Sequence, residues 1–392
     1  MHCHRLNHED NGLMMLVNVI PDASTYAVAV PGSAGRPAQV TIYDGSGDKL
    51  VATVTPFPGF EGTASVAMGD IDDDGVYDLV VGAGKDHAPE VVAYAGKATG
   101  GKGPFEKELA RFEAFESSAR GGISVASSQI DGSTADNIIV GSGPGILSEV
   151  RVYRAKLPKA QGTAPELFST FNPYLDDRNG VSVASGFVDF TTGRYSIVTA
   201  PGAGSMAQVK VFNFSLMKPI DQTKRSGPGA DQCEPGDHKP AVTNAFMPFG
   251  MNYRGGLSLA TGWLAGSLGG AERIVVSQLA GPGEVKVYSS GSRLEGGPKV
   301  YLAAADHTPV ATFAEIASFK PFGGASGVSV ATTSTTSGAD LLVSGISPAD
   351  KSVQVLKFEL VRPDPDAVGL DAKQLSTILS AGGAQPNALG GD

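Results

Sequence analysis

The sequence predicts an all-β protein, and within that class a β-propeller of four-stranded blades. Its 392 residues include 52 Gly and 25 Pro whereas only 18% are charged, a composition typical of a turn-rich soluble β protein. The 41% of hydrophobic residues is enough for a substantial core. A unit of roughly 50–80 residues recurs between about Thr25 and Leu360, and such recurrence indicates a repeat architecture.

Each unit carries the same order of strand signals. Aromatic residues near a proline come first, and an alternating stretch after a glycine follows them. Apolar residues at every second position predict a strand that packs between neighbouring sheets. A continuous apolar run, a glycine-rich turn and a strand of the form Val-x-Val-Tyr complete the four strands of a blade. The alternating stretches start at Gly62, Gly122, Gly180, Gly256 and Gly327.

The number of units predicts the number of blades and the domain boundaries. Five full units and a partial one at Thr25–Tyr43 favour six blades, whereas seven would need further strands. The propeller is therefore expected to cover residues 25–360, with a surface loop at Met217–Thr243 that is rich in proline, glycine and charge. Residues 361–392 lose the β pattern, and we expect a partly disordered tail with a short helix at Asp366–Leu379.

An acidic turn in the first full unit has the spacing of a calcium-binding loop. It reads D-x-D-x-D-G-x-x-D from Asp70 to Asp78. Gly75 permits the sharp bend that directs the carboxylates inward, and four acidic groups this close would repel one another without a cation. An oxygen cage of this kind favours Ca²⁺ over the smaller Mg²⁺, and the alternative is a solvated acidic turn. The predicted ligands are the carboxylates of Asp70, Asp72, Asp74 and Asp78 and the carbonyl oxygen of Val76.

The repeated unit with this loop resembles the FG-GAP repeat, also called VCBS, of integrin-α-like propellers. The resemblance implies a calcium-stabilised adhesion or binding module whose loops contact a cell-surface, glycan or protein partner. The later units depart from the motif, so only one calcium site is expected. The second unit has Gln129, Asp131, Ser133 and Asn137 at the matching positions, the third keeps Asp189, and the last keeps Asp340.

A different metal motif stands at the start of the sequence, where His2-Cys3-His4 is followed by His8. Thiolate sulfur and imidazole nitrogen select copper or zinc over hard cations. With the apolar stretch Met15–Ile20, this run resembles the C-terminal copper signature of multicopper oxidases such as laccases. The resemblance implies that residues 1–22 are the remnant of the last cupredoxin domain of such an enzyme, and that Met15–Ile20 is its closing strand.

The resemblance also implies a role for each residue of the copper motif. Cys3 and His8 would bind the mononuclear copper that accepts electrons, while His2 and His4 would reach the trinuclear cluster that reduces dioxygen. Leu13 would occupy the axial position without binding copper, but Met14 lies one residue away and the axial ligand stays open. The sequence has 6 His, and the remaining three show no metal-ligand spacing. These are His87, His238 and His307.

Charge and hydropathy exclude two classes of partner. A formal net charge of −10 argues against nucleic-acid binding, which requires clustered Lys and Arg. The sequence holds no apolar segment long enough to predict a membrane span. Of the two cysteines, Cys233 has no evident disulfide partner once Cys3 is assigned to copper.

Two classes of function follow from these motifs. The first is the C-terminal portion of a multicopper oxidase, in which oxidation of a reductant is coupled to dioxygen reduction and the propeller serves for attachment. This chain alone would then be inactive, because the other copper ligands are missing. The second is a free-standing calcium-stabilised binding module without enzymatic activity. A polysaccharide lyase is a weaker third class, because it would need a basic and aromatic cleft, whereas the sequence has a single tryptophan, Trp263, and no clustered bases. For the first two classes we expect an extracellular or periplasmic location.

Overall fold

A computed structural model describes the chain from Thr25 to Ala381 with several gaps. The copper motif and Met15–Ile20 lie outside the described residues, as do Cys233, His238 and His307. The elements that the structure describes are all strands. The described residues are 25–30, 32, 35–44, 49–154, 165–189, 194–214, 239–264, 271–290, 313–324, 327–333, 339–349, 352–361, 363 and 369–381.

The described strands form six antiparallel sheets, which are numbered here as blades 1 to 6 in chain order. Blade 1 has three described strands and each other blade has four. Blade 1 contains β1 (Thr25–Val30), β2 (Gln39–Asp44) and β3 (Leu50–Val54); blade 2 contains β4 (Ala64–Gly69), β5 (Asp78–Ala83), β6 (Glu90–Tyr94) and β7 (Glu108–Glu113); blade 3 contains β8 (Ile123–Ser128), β9 (Asn137–Ser142), β10 (Val150–Tyr153) and β11 (Leu167–Phe171). Blade 4 contains β12 (Val181–Asp189), β13 (Arg194–Pro201), β14 (Val209–Asn213) and β15 (Ala241–Phe246); blade 5 contains β16 (Leu257–Gly262), β17 (Arg273–Gln278), β18 (Val285–Ser290) and β19 (Phe313–Phe319); blade 6 contains β20 (Ser329–Thr332), β21 (Leu341–Ile346), β22 (Val353–Val361) and β23 (Asp371–Ala381).

The blades are arranged as a β-propeller, so the predicted fold class and the six-bladed count are confirmed. The first strand of each of blades 2 to 6 lies innermost, and these inner strands pack on one another in chain order from β4 to β20. Blade 1 closes the ring against blade 6, because Tyr26 and Val28 of β1 pack with Leu342 and Val355.

Apolar side chains between neighbouring blades form the core. Between blades 2 and 3, Ile123 and Val125 of the inner strand pack against Val80 and Val91 of the preceding blade. The second strand of a blade is covered on both faces, and every residue of β9 is buried. This double coverage accounts for the continuous apolar runs, each side chain of which contributes about 1.5–3 kcal/mol by burial.

The small polar residues of the alternating strands link neighbouring inner strands. Hydroxyl groups in each strand bond to the backbone of the next one, which compensates for the burial of polar groups near the propeller axis. The bonds run from Ser65 Oγ to the carbonyl of Ile123 (2.8 Å), from Val183 N to Ser124 Oγ (3.1 Å), from Ser182 Oγ to the carbonyl of Leu257 (2.9 Å) and from Val330 N to Ser258 Oγ (3.1 Å). We call this set the hydroxyl ladder.

The aromatic residues near proline are covered by a cation from the Val-x-Val-Tyr strand. The side chain at position x lies over an aromatic ring of the loop that leads from the preceding blade into its own blade, a favourable cation–π geometry. The pairs are Arg151 over Phe115 (4.8 Å), Lys210 over Tyr174 (4.9 Å) and Lys286 over Phe249 (5.5 Å).

The predicted helix at Asp366–Leu379 is wrong. Residues Asp371–Ala381 form β23, which pairs antiparallel with β22 and completes blade 6. The propeller therefore extends beyond Leu360 to Ala381. The residues of β23 have ordinary helix propensity, but pairing with the open edge of β22 outweighs a preference of a few tenths of a kcal/mol per residue.

Candidate metal centre

The acidic loop connects the inner strand β4 to β5, at one end of the propeller axis. Its turn is held by side-chain acceptors, since Asp70 accepts hydrogen bonds from the backbone N–H groups of Asp74 (3.1 Å) and Gly75 (2.9 Å). Gly75 has a φ of 82° and Asp73 a φ of 62°. The positive φ of Gly75 agrees with its predicted part in the bend.

Three of the predicted ligands come together. Asp70, Asp72 and Asp78 each offer one carboxylate oxygen, and these oxygens lie within 4.8 Å of one another. Oxygen atoms bound to one Ca²⁺ at about 2.3–2.6 Å have separations of this size, so the trio fits the ion.

The other two predicted ligands, Asp74 and Val76, are not part of this trio. Asp74 is beside Lys97, with 3.7 Å between its Oδ2 and the lysine Nζ, and it is outside the trio. Val76 donates its backbone N–H to Asp74 Oδ1 (3.0 Å). We therefore assign the core of the candidate centre to Asp70, Asp72 and Asp78.

Asp78 joins the candidate centre to the sheet. It is almost completely buried, and it accepts hydrogen bonds from the N–H groups of Ile71 (2.9 Å), Asp72 (3.2 Å) and Gly96 (2.8 Å). Burial raises its pKa to about 7 despite these bonds. Oδ2 accepts two of these bonds and Oδ1 accepts one, so a lone pair of Oδ1 is left for a metal ion.

The loop carries unfavourable electrostatic energy. The pKa of Asp72 is raised first by burial and then by the negative charges of Asp74 and Asp70. A cation between the carboxylates would remove this repulsion, which is the physical argument for metal binding.

The matching loop of blade 3 has the same shape without a metal trio. Asn137 accepts the N–H groups of Ile130 (2.8 Å) and Asp131 (3.1 Å), as Asp78 does in blade 2. The charge of Asp131 is balanced by Arg154 at 3.4 Å. The other residues that match ligand positions bond within the loop, Gln129 to the carbonyl of Thr134 (2.7 Å) and Ser133 to Asp131 (2.6 Å).

Of the remaining acidic residues at matching positions, Asp189 is buried and Asp340 pairs with Lys357 at 3.2 Å. At Asp131 and at Asp340 a basic side chain of the protein therefore balances the negative charge. Among the described residues, only the loop of blade 2 gathers three potential metal-ligating side chains.

Asp136 of blade 3 was not recognised from the sequence. Its Oδ2 accepts the N–H of Asp70 (3.0 Å), and its own N–H donates to the carbonyl of Asp70 (2.7 Å). Burial raises the pKa of Asp136 to about 7. Asp136 directly precedes the second strand of its blade, as Glu272 does in blade 5, and this shared position is the signal that could have identified it. The acidic loop is therefore fixed to the neighbouring blade.

The described histidine has a packing role. The ring of His87 lies 5.0 Å from that of Phe57 and 4.9 Å from that of Phe60, measured between centroids. The predicted copper residues His2, Cys3, His4, His8 and Leu13 lie outside the described part of the chain.

A cleft of about 280 Å³ lies at the opposite ends of the inner strands from the acidic loop. Its lining includes Lys85, Asn179, several glycines and three serines of the ladder, which are Ser65, Ser124 and Ser182. Most residues that line the cleft are small, so a ligand could approach the backbone closely.

In the described residues, no helix is long and apolar enough to cross a membrane.

No family model and no curated protein matches this chain. Solved structures with some likeness are rhamnogalacturonan lyases. The exotype lyase YesX has 12% identity and a TM-score of 0.33, over 90% of this chain and 70% of that one. The lyase YesW has 13% identity and a TM-score of 0.33, over 86% and 69%. The Bacillus licheniformis lyase PL11 has 13% identity and a TM-score of 0.34, over 88% and 70%. Likeness this low carries no information about activity.

Proposed function

We propose that this chain is a calcium-binding β-propeller that acts as a binding or attachment module. The observation that carries the proposal is the trio Asp70, Asp72 and Asp78, with carboxylate oxygens within 4.8 Å of one another. The ion would hold the acidic loop in its bend, and the loop is hydrogen-bonded to blade 3 through Asp136. Calcium would thereby stabilise the contact between two blades.

The donor atoms of the loop favour calcium over a transition metal. Its donors are all oxygens, which hard cations prefer, and the described residues near it offer no thiolate or imidazole. Three clustered carboxylates are fewer than the roughly 6–8 oxygen ligands that Ca²⁺ takes, which favours weak binding, in the range of about 10⁻⁴–10⁻³ M found for extracellular modules. Such a site would be filled outside the cell, where we propose that the module meets a cell-surface, glycan or protein partner.

Calcium titration with two matched variants tests the proposal. Ca²⁺ at ten times the dissociation constant should stabilise the wild-type fold by about 1.4 kcal/mol, because the ion binds only the folded state. Asp72→Asn should abolish this response. Asp73→Asn is the control, since Asp73 has the same charge and lies in the same loop but outside the trio, where its carboxylate bonds to Thr134.

The melting temperature with calcium and with a chelator is the measurement. An unchanged melting temperature of the wild-type chain between the two conditions would exclude the calcium site. Equal responses of Asp72→Asn and Asp73→Asn would show that any calcium effect comes from elsewhere.

The N-terminal motif favours a second candidate function. We propose as this alternative that the chain is the C-terminal portion of a multicopper oxidase, with His2, Cys3, His4 and His8 as copper ligands and Leu13 at the axial position. The chain alone should then consume no oxygen with a phenolic donor after copper loading. An immunoblot of the source material should give a band far above the mass of this chain. A band at the mass of this chain would contradict the oxidase proposal and leave the calcium proposal unaffected.

A further inference from the structure

Blade 1 differs from the other blades at the propeller axis. Tyr26 of β1 pairs with Tyr43 of β2 in the same register as Leu79 of β5 with Tyr94 of β6. The three strands of blade 1 therefore match the second, third and fourth strands of blade 2. Among the described strands, none pairs with β1 on the side where an inner strand belongs.

The inner strands of blades 6 and 2 flank the place where an inner strand of blade 1 would lie. Their side chains facing that place are more exposed than the equivalent side chains between other blades. On blade 6, Ser329 and Ala331 of the inner strand are exposed, whereas in blade 5 Ser258 is half-buried and Ala260 is buried. On blade 2, Val66 is only half-buried. These residues lie on the faces that a further inner strand would cover.

The core between blades 6 and 1 lacks a pair of side chains. Every other interblade cluster contains two apolar residues, two positions apart, from the inner strand of the following blade or from the residue directly before that strand. The cluster around Tyr26 and Val28 contains buried Leu342 and Val355 but no such pair among the described residues. The pairs in the other clusters are Ala64 and Val66, Ile123 and Val125, Val181 and Val183, Leu257 and Leu259, and Val328 and Val330.

We propose that the segment Leu16–Ile20 of this same chain is the inner strand of blade 1. It lies directly upstream of β1, and Val17-Asn18-Val19-Ile20 has the same alternation as Val181-Ser182-Val183-Ala184. Antiparallel neighbours can be joined by a turn of two residues, so the short connection to Thr25 is sufficient.

The side chains of the segment meet the requirements of the position. In this assignment Val17 and Val19 would supply the two missing apolar groups of the cluster around Tyr26. Asn18 would take the place that serine has in the hydroxyl ladder. Val19 would lie opposite Val28, because Val66 pairs with Val81 at the equivalent place in blade 2.

This assignment competes with the cupredoxin interpretation of Met15–Ile20. One strand cannot be buried in both domains of the same molecule. The assignment does not depend on the calcium site, and a chain that fails to bind calcium can still close its ring in this way.

A charge introduced into the segment tests the assignment. Val19→Asp would place a carboxylate in an apolar cluster, so we expect the melting temperature to fall by about 5 °C or more. Val242→Asp is the matched control, since it makes the same substitution at a position of β15 that is 51% exposed, and it should leave the melting temperature nearly unaltered. Equal melting temperatures of the two variants would overturn the proposal.

A disulfide cross-link tests the register and the identity of the donor chain. Directly opposed Cβ atoms in a sheet are close enough for a disulfide bond. After Cys3→Ser and Cys233→Ser, the pair Val19→Cys and Val28→Cys should form an intrachain disulfide on mild oxidation. The pair Asn18→Cys and Val28→Cys should not form one, because Asn18 faces the other side of the strand. A covalent dimer would assign the strand to a second copy, and a failure of both pairs to cross-link would contradict the assignment.

Discussion

Glu272 shows how burial of a single carboxyl group couples stability to pH. It is 9% exposed, and its Oε1 accepts the N–H of Phe187 in the preceding blade (3.2 Å). Burial raises its pKa to about 7, although the hydrogen bonds from Phe187 and Thr261 oppose the shift. The raised pKa means that the folded protein favours the protonated form of this group.

The stabilising contribution of Glu272 should disappear as pH rises. It is fully present below the unfolded pKa of about 4.3 and is lost as pH increases through about 7. Glu272→Gln keeps the acceptor without the charge, so we expect it to raise the free energy of unfolding at pH 8 by roughly 2–4 kcal/mol relative to wild type.

Urea unfolding at pH 5 and pH 8 is the measurement. The gain from Glu272→Gln should be much smaller at pH 5, where the wild-type side chain is already largely protonated. Glu116→Gln, at an exposed position, serves as the control. An equal effect of Glu272→Gln at the two pH values would contradict the argument.

At the scale of the strand, the hydroxyl ladder explains why the inner strands alternate valine with serine. The apolar side chains face the preceding blade, while the hydroxyl groups bond to the backbone of the following inner strand. A second row runs in the opposite direction, with Thr261 Oγ1 donating to the carbonyl of Ser185 in the preceding inner strand (2.6 Å). Neighbouring sheets that share no backbone ladder are thus joined near the axis by side chains.

Removal of one hydroxyl should weaken the contact between two blades. Ser182→Ala deletes the bond to the carbonyl of Leu257 and leaves that acceptor without its partner. We expect a loss of about 1–2 kcal/mol in the free energy of unfolding, measured by chemical denaturation. Ser117→Ala removes an exposed hydroxyl that bonds to Glu113 in an interblade loop, and it should cost much less. Equal losses would mean that the ladder does not contribute to stability.

At the scale of the whole molecule, the ring closes where its first and last blades meet. Tyr26 and Tyr43 of blade 1 stack at 5.4 Å, and Lys357 of blade 6 lies 5.9 Å from the ring of Tyr26. Ile378 of β23 packs against the same cluster. The last described strand therefore takes part in closing the propeller.

Two substitutions on β23 test this closure. Ile378→Asp places a charge against the apolar cluster between blades 6 and 1, and we expect it to lower the free energy of unfolding by about 2–3 kcal/mol. Leu375 is on the same strand but 45% exposed, so Leu375→Asp should change stability by about 0.5 kcal/mol or less. Thermal and denaturant unfolding would show the difference, and similar effects of the two variants would contradict the role of β23 in closure.

The amino-acid sequence by itself determined the blade pattern and the acidic loop. Alternation in stretches such as Val181–Ala184 follows from the two faces of a strand, and the spacing from Asp70 to Asp78 follows from the geometry of a single turn. Both are local properties, so the residue types and their spacing are sufficient to predict them.

Only the tertiary structure decided which distant groups meet. The sequence favoured a helix over Asp366–Leu379 because it does not reveal that the edge of β22 is open to another strand. The sequence also did not indicate that Asp136 bonds to the backbone of Asp70, since the packing of blade 3 on blade 2 brings these two residues together. Pairing across blades depends on the closed ring, and the ring exists only when all the blades are assembled.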